Sequence, residues 1–284
     1  MKIGAHISAA GGVFNAPLNA NQHNAECYQF FSRSPRGGPA PKLTPKIINQ
    51  FQINNKKYNY THYYIHAPYY INLASSNKRI YYGSIEVLRQ ELERGSQLGA
   101  IGMMFHIGSS KDLGEIQAIN QTVKALKTIL KDYKGSCQLL IEISAGAGKI
   151  IGDTFEEIAE IIKKTETIKT KNKIGVCFDT AHAFASGYDL RDKSAVTKTF
   201  NNFNKTIGLK RLKVIHTNDS KTDLNSHRDR HDHLGQGKIG KLGFQEIIKY
   251  FQKKKINLDF IMETPTDTGV IKDIKLLKKF KDKK

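Results

Sequence analysis

Eight short apolar runs, each followed by a longer stretch with helical periodicity, constrain this 284-residue chain more than any other feature. They are KIGAHIS (2–8), ECYQFFS (26–32), HYYIHA (62–67), GMMFHIG (102–108), CQLLIEIS (137–144), IGVCFDT (174–180), LKVIHTN (212–218) and DFIMETP (259–265). Parallel strands covered on both faces by helices read as continuous apolar runs of this kind. Between them, SIEVLRQELERGSQLG predicts a helix capped by Ser84 and closed at Gly99, with Val87, Leu88 and Leu92 turned inward. EIQAINQTVKALKTILKDY repeats Ile116, Ile119, Val123, Leu126 and Leu130 along one face, and Thr154 with Glu157 predicts a capping box before FEEIAEIIKK. Eight such units predict a (β/α)8 TIM barrel spanning residues 1–284 as a single domain, because sequential right-handed crossovers over this length close on themselves. A doubly wound open sheet shares the alternation, so periodicity alone leaves that fold open. The proline-rich stretch SRSPRGGPAPKLTP (32–45) reads as a long loop after the second strand, and KDIKLLKKFKDKK as a basic terminal helix.

The chemistry lies where the runs stop. The third ends at His66, the fourth at His106, the fifth at Glu142, the sixth at Asp179, the seventh at His216 and the eighth at Glu263. They succeed one another at intervals of 36 to 47 residues, one βα unit each, so a barrel gathers all six at its C-terminal mouth. A lone His66 after YYI reads most simply as a hydrogen-bonded histidine at a strand end, but six ionisable groups in register need cations between them. His182 follows Asp179 in DTAH, and HRDRHDH (227–233) supplies Asp229 and His231. In an extended chain His227, Asp229, His231 and His233 share one side. Nine candidate ligands exceed the four of one tetrahedral zinc and, with a bridging carboxylate, suit three metals. Histidine with carboxylate donors favours Zn, Mn or Fe over Ca or Mg. Such a cluster can clamp a phosphodiester and stabilise its leaving oxygen.

The formal charge of +19 points to a polyanionic partner. Three cysteines, Cys27, Cys137 and Cys177, fit a reducing, intracellular setting better than a disulfide scaffold. No run has the length of a membrane span, MKIGAHISAAGG lacks the apolar core of a signal peptide, and a monomer is expected.

IGAHISAAGG, HAPYYINL, FHIGS, DTAHAFASGYD, VIHTNDSK, DRHDHLGQGKIG and METP, in order across nearly the whole chain, resemble endonuclease IV, the zinc-dependent apurinic/apyrimidinic endonuclease family. The resemblance implies a (β/α)8 barrel holding three Zn2+. His66 and His106 hold the first and Glu142 bridges it to a second bound also by Asp179, His216 and Glu263. His182, Asp229 and His231 hold the third. It also implies Glu142 and Glu263 as catalytic carboxylates, and cleavage 5′ to abasic sites in double-stranded DNA by a metal-activated water during base excision repair. The products are a 3′-hydroxyl and a 5′-deoxyribose phosphate. Tyr69, Tyr70 and Arg36 match positions that enter the duplex beside the extruded nucleotide, and eight of the twelve tyrosines crowd between Tyr58 and Tyr82, where stacking on bases competes with ordinary packing. EISAGAG stands where the family has ENTAGQG, DTAH where it has DTCH, and SPRGGPA lacks the aromatic residue common around Arg36, which bears on DNA contacts near Glu142 and Arg36. Within HRDRHDH, His227 and His233 then become supporting or solvent-facing residues, and Arg228 and Arg230 candidates for phosphate contact. A sugar isomerase or epimerase on the same barrel explains only Glu142, Asp179, His216 and Glu263. A non-catalytic DNA binder with a structural metal lacks the cysteine ligands usual for such a site.

Overall fold

The computed structural model describes residues 1–168, 172–264 and 268–282; Pro265 of the eighth apolar run and the last two residues of the basic tail lie outside them. The eight runs each form a parallel strand: β1 (Lys2–His6), β2 (Cys27–Phe30), β3 (Tyr63–His66), β4 (Gly102–Phe105), β5 (Gln138–Glu142), β6 (Gly175–Asp179), β7 (Leu212–His216) and β10 (Asp259–Met262). They close in the order β1-β10-β7-β6-β5-β4-β3-β2, which settles the fold as a TIM barrel and removes the open sheet. An antiparallel ribbon of β8 (Asp219–Ser220) and β9 (His231–Asp232) sits beyond β7.

The nine α-helices among the described residues are α1 (Ala16–Gln22), α2 (Pro45–Lys57), α3 (Lys78–Leu98), α4 (Glu115–Leu130), α5 (Phe155–Thr165), α6 (Thr180–Ala185), α7 (Lys193–Thr206), α8 (Gly240–Lys253) and α9 (Thr268–Asp282). Local chemistry sets their ends. Helix α3 begins well before the predicted Ser84, because Asn77 accepts from the backbone N–H of Arg79 and Ile80 and a side-chain cap outranks a mid-helix serine. Ser84 lies inside the helix, donating to the Ile80 carbonyl and accepting from Asn72 N–H, while Gly99 closes it at φ 81°. In α4, Ile119, Val123, Leu126 and Leu130 are buried as predicted, but Ile116 in the first turn faces solvent. Half of the predicted capping box forms: Thr154 accepts from Glu157 N–H, whereas the Glu157 carboxylate accepts from Gly152 N–H.

Strand outer faces and helix inner faces make the main core, and Cys27, Tyr64, Met104, Leu140, Cys177, Val214 and Ile261 pack a second, apolar cluster inside the barrel. Gly4 fills the β1 position in that layer, since a Cβ there would lie 1.7 Å from the Cys27 carbonyl oxygen. All three cysteine thiols are free and buried, as the composition led us to expect.

Candidate metal centre

Strand periodicity builds the site. Two residues beyond each member of the barrel-interior layer comes a residue on the same face. Gly4 leads to His6, Cys27 to Gln29, Tyr64 to His66, Met104 to His106, Leu140 to Glu142, Cys177 to Asp179, Val214 to His216 and Ile261 to Glu263. The apolar layer is thus capped at the C-terminal mouth by a polar one. Six of its eight members are the strand-end residues predicted above, and His6 and Gln29 complete the ring.

Donor atoms fall into overlapping groups within 4.8 Å of one another: His66 with His106 and Glu142; Glu142 with Asp179, His216 and Glu263; and Asp179 with His182 and His231. Glu142, fully buried, joins the first two: one oxygen lies 3.1 Å from His66 Nε2 and 3.6 Å from His106 Nε2, the other 2.9 Å from His216 Nδ1. The carboxylate of Asp179 reaches toward both His216 Nδ1 (3.9 Å) and His231 Nε2 (3.7 Å), joining the second group to the third. Asp229, half-exposed at the rim, stands 3.2 Å from His182 Nε2 and 3.3 Å from His231 Nε2, and those two nitrogens are 3.3 Å apart. Ligands held about 2.0–2.1 Å from a tetrahedral zinc lie roughly 3.3 Å from each other, which is the separation of the two nitrogens, while Asp229 offers Oδ2 to His182 and Oδ1 to His231.

Hydrogen bonds fix which way each ring points. His66 Nδ1 sits 2.6 Å from the Ala67 carbonyl and His182 Nδ1 3.0 Å from that of Ile143. A carbonyl only accepts, so in each neutral ring the proton is on Nδ1 and Nε2 turns a lone pair toward the carboxylates. The Gln29 amide oxygen accepts from His216 Nε2–H at 2.7 Å, leaving Nδ1 facing Glu142 and, at 3.0 Å, Glu263. Lone pairs aimed at carboxylates in a buried layer repel unless a cation lies between, and a proton or a metal ion can serve. Burial works against charge on His182, yet Asp179 and Asp229 outweigh it and hold its pKa at about 10. Burial pushes Asp229 upward, but His182 draws it down to about 2. Glu142 and Glu263 likewise fall well below the usual carboxylate range, where His106 and His216 outweigh burial for the first and His216 for the second. This donor set fits divalent metals.

Supporting contacts come from residues that the strand-end rule did not select. Gln29 donates to Glu263 (2.7 Å) and His6 (2.8 Å) as well as accepting from His216. Asn218 donates to Asp179 at 2.6 Å and accepts from Glu263 N–H at 2.8 Å. The loop bearing Asp229 and His231 is clasped by buried Asp219, whose carboxylate accepts from the backbone N–H of Ser220, Gly235, Gly237, Ile239 and Gly240 at 2.8 to 3.4 Å. Asp273 of α9 holds the loop again, through His233 Nδ1 (2.7 Å) and Leu234 N–H (3.0 Å).

HRDRHDH is not one extended strand: only His231 and Asp232 are in β9, and His227 has a left-handed φ of 51°. The same-side reading of all four residues therefore fails. His227 is exposed, 4.0 Å from Asp153, and His233 bonds Asp273, so both stand outside the ligand groups. The tyrosine-rich segment also divides. Tyr60, Tyr63, Tyr64 and Tyr81 are buried packing residues, while Tyr69 and Tyr70 are exposed beside His66, Tyr69 at 66%. A hydrogen bond from Tyr69 N–H to the Pro35 carbonyl ties that rim to the loop carrying exposed Arg36. Ile143, where the motif would have Asn, turns its side chain into the core and offers His182 only its carbonyl.

Fold and site together define a xylose-isomerase-like TIM barrel with a histidine and carboxylate centre at its mouth, and the family model of that description matches residues 18–280. Relatives narrow the class. The chain is 38% identical over 277 residues, 98% of each chain, to a probable endonuclease 4 of Halothermothrix orenii, and 39% identical over 269 residues, 94% of each, to one of Nitrosopumilus maritimus. The crystal structure of endonuclease IV from Thermus thermophilus superposes with a TM-score of 0.85 at 29% identity, covering 99% of this chain and 98% of that one. The chain belongs to the endonuclease IV family. A D-tagatose 3-epimerase-like protein superposes at 0.73 with 20% identity, covering 99% of this chain and 97% of that one, a likeness of fold alone.

Proposed function

We propose that this chain, as a single barrel domain, incises double-stranded DNA on the 5′ side of abasic sites during base excision repair, leaving 3′-hydroxyl and 5′-deoxyribose phosphate ends, with three zinc ions held at the mouth. The observation that carries this is the third donor group. An epimerase-like site accounts for Glu142, Asp179, His216 and Glu263, but leaves His182, Asp229 and His231 converging on one point without a purpose.

In this reading His66 and His106 hold one ion, Glu142 links it to a second bound by Asp179, His216 and Glu263, and His182, Asp229 and His231 hold the third. Bound metals would acidify a water and neutralise charge on the scissile phosphate. The attacking water gives up a single proton, and Glu142 and Glu263 are the two carboxylates beside it, either of which would take that one proton on its way to solvent. Gln29 keeps Glu263 and His216 in register. Tyr69, Tyr70 and Arg36 stand where a duplex lying across the mouth meets the protein first, and an abasic nucleotide, lacking stacking, is extruded at lower cost than a normal one. Arg228 and Arg230, on the loop of the third group, contact phosphates.

The test incubates purified protein with a duplex containing a tetrahydrofuran abasic analogue, with and without chelator, beside metal counting by native mass spectrometry. Chelator-sensitive incision 5′ to the analogue and three metals per chain are expected. Absence of that incision, or one metal per chain, overturns the reading.

A further inference from the structure

The basic charge of this chain is not at its mouth. Helices of a β/α barrel run back antiparallel to the strands, so helix C-termini and the loops leading into strands share the opposite end. The described residues of segments 1–2, 23–27, 54–63, 99–102, 127–138, 163–175, 205–213, 253–259 and 278–282 make up that end, and hold nineteen Lys and Arg against five Asp and Glu. All remaining described residues hold twenty-two against twenty. Lysines in the last turn of a helix complement its dipole and need no further reason. Lys134, Lys173 and Lys213 lie beyond the helices and their caps, at least partly exposed, where no dipole calls for them. Like charges within a Debye length of about 8 Å repel, and an incoming polyanion relieves that repulsion.

One groove of this face concentrates the effect. Lys173, Lys210, Arg211 and Lys213 line it together with the amides of Gln138 and Asn204. Its single carboxylate, Glu166, accepts from both terminal nitrogens of Arg211, at 2.8 and 2.9 Å, and lies 3.4 Å from the exposed Lys173 Nζ, so the groove stays net positive. None of the exposed large apolar side chains falls in these segments, so the surface offers cations and amide donors without a wedge for lipid or for base steps. We propose that this face is a second, sequence-independent binding surface for the phosphate backbone of duplex DNA, able to hold one stretch of duplex while another lies across the mouth.

The triple variant Lys173→Glu, Lys210→Glu, Lys213→Glu changes only surface residues remote from the mouth. Bridging is read by energy transfer between a donor-labelled duplex carrying a tetrahydrofuran analogue and an acceptor-labelled undamaged duplex. The unaltered protein should bring the two together. The variant should lose that signal, and its slope of log affinity against log salt on undamaged duplex should fall by about 2.7, the amount expected for three lost phosphate contacts. Melting temperature and incision of short substrates should stay unchanged. Measuring the slope on chelator-treated protein as well keeps this outcome separate from any failure of incision. No bridging by the unaltered protein, an identical slope in the variant, or binding to phosphatidylserine vesicles in place of duplex would overturn the proposal.

Discussion

Gln29 shows how much one uncharged residue can govern. Its amide accepts from His216 and donates to Glu263 and His6, so it selects the tautomer that turns His216 Nδ1 toward the carboxylates. Gln29→Leu, similar in volume, should lower zinc affinity at the Glu142, Asp179, His216 and Glu263 group by roughly 10 to 100-fold, and titration against a competing chelator would detect it. Unchanged affinity would mean that the imidazole is oriented by packing alone. Asp229 is the opposite case, a half-exposed rim residue whose carboxylate pairs with His182 and His231. Asp229→Ala should bind two metals in place of three and lose most incision with the melting transition intact, whereas full activity in that variant would argue against a working third site. Both residues lie within legible runs or motifs, yet only Asp229 stands out in the sequence. Ionisable side chains at strand ends and in polar motifs signal ligands, and an amide such as Gln29 is silent in that pattern. His6 ends the first run as His66 ends the third, and the same rule applied to all eight strands finds it.

At the scale of elements, the loop between β8 and β9 matters most, because it delivers Asp229 and His231 from outside the barrel. Such a loop must be held, and Asp219 holds it by accepting from Ser220 N–H before the loop and from four backbone N–H groups of Gly235, Gly237, Ile239 and Gly240 in the segment that follows β9. Asp219→Asn puts an amide donor against some of those donors. It should free the loop and cost the third metal while the first two remain, with faster hydrogen exchange at Gly235, Gly237 and Ile239 even in metal-free protein. Unaltered exchange there would show that the clasp is idle. Nothing in VIHTNDSK announces this role, since a carboxylate meeting backbone amides far along the chain leaves no periodic trace. Helix limits failed for a related reason: the competition between Asn77 and Ser84 is decided by backbone geometry. Helix α5 carries a pH signature. Burial raises the Glu157 carboxyl to about 7, with Asp153 adding to it and Gly152 N–H opposing. Between the ordinary value of 4.5 and 7 the folded state binds more protons than the unfolded one. Stability from this group is therefore complete below that window and is lost as pH rises through it. Glu157→Gln should gain in melting temperature relative to the unaltered chain between pH 5 and pH 8, and a pH-independent difference would contradict the assignment.

Over the whole molecule, fold and site were legible to different depths because different physics writes them. Eight apolar runs suffice for a parallel sheet wrapped in helices, since burial on both faces leaves a continuous signal, but closure into a barrel rather than an open sheet is written in the strand order; the register of their ends suffices for the polar ring. The net charge was legible as a number but not as a place: it pointed to a polyanionic partner, and the fold puts most of it away from the mouth. Layering also predicts the response to metal removal. The apolar layer from Cys27 to Ile261 and the outer core are complete beneath the polar ring, and no strand depends on an ion for its pairing. Metal-free protein should therefore keep its helical circular dichroism and unfold cooperatively at a lower temperature. Each site filled at a hundredfold excess over its dissociation constant contributes about 2.7 kcal/mol, which for a chain of this size is roughly 4–5 °C per site. Restoring zinc stepwise should raise the transition in stages, the clasped third group responding separately from the two that share Glu142. A melting temperature indifferent to chelator and to zinc would mean that the protons now balancing these carboxylates are the cations the site was built to hold.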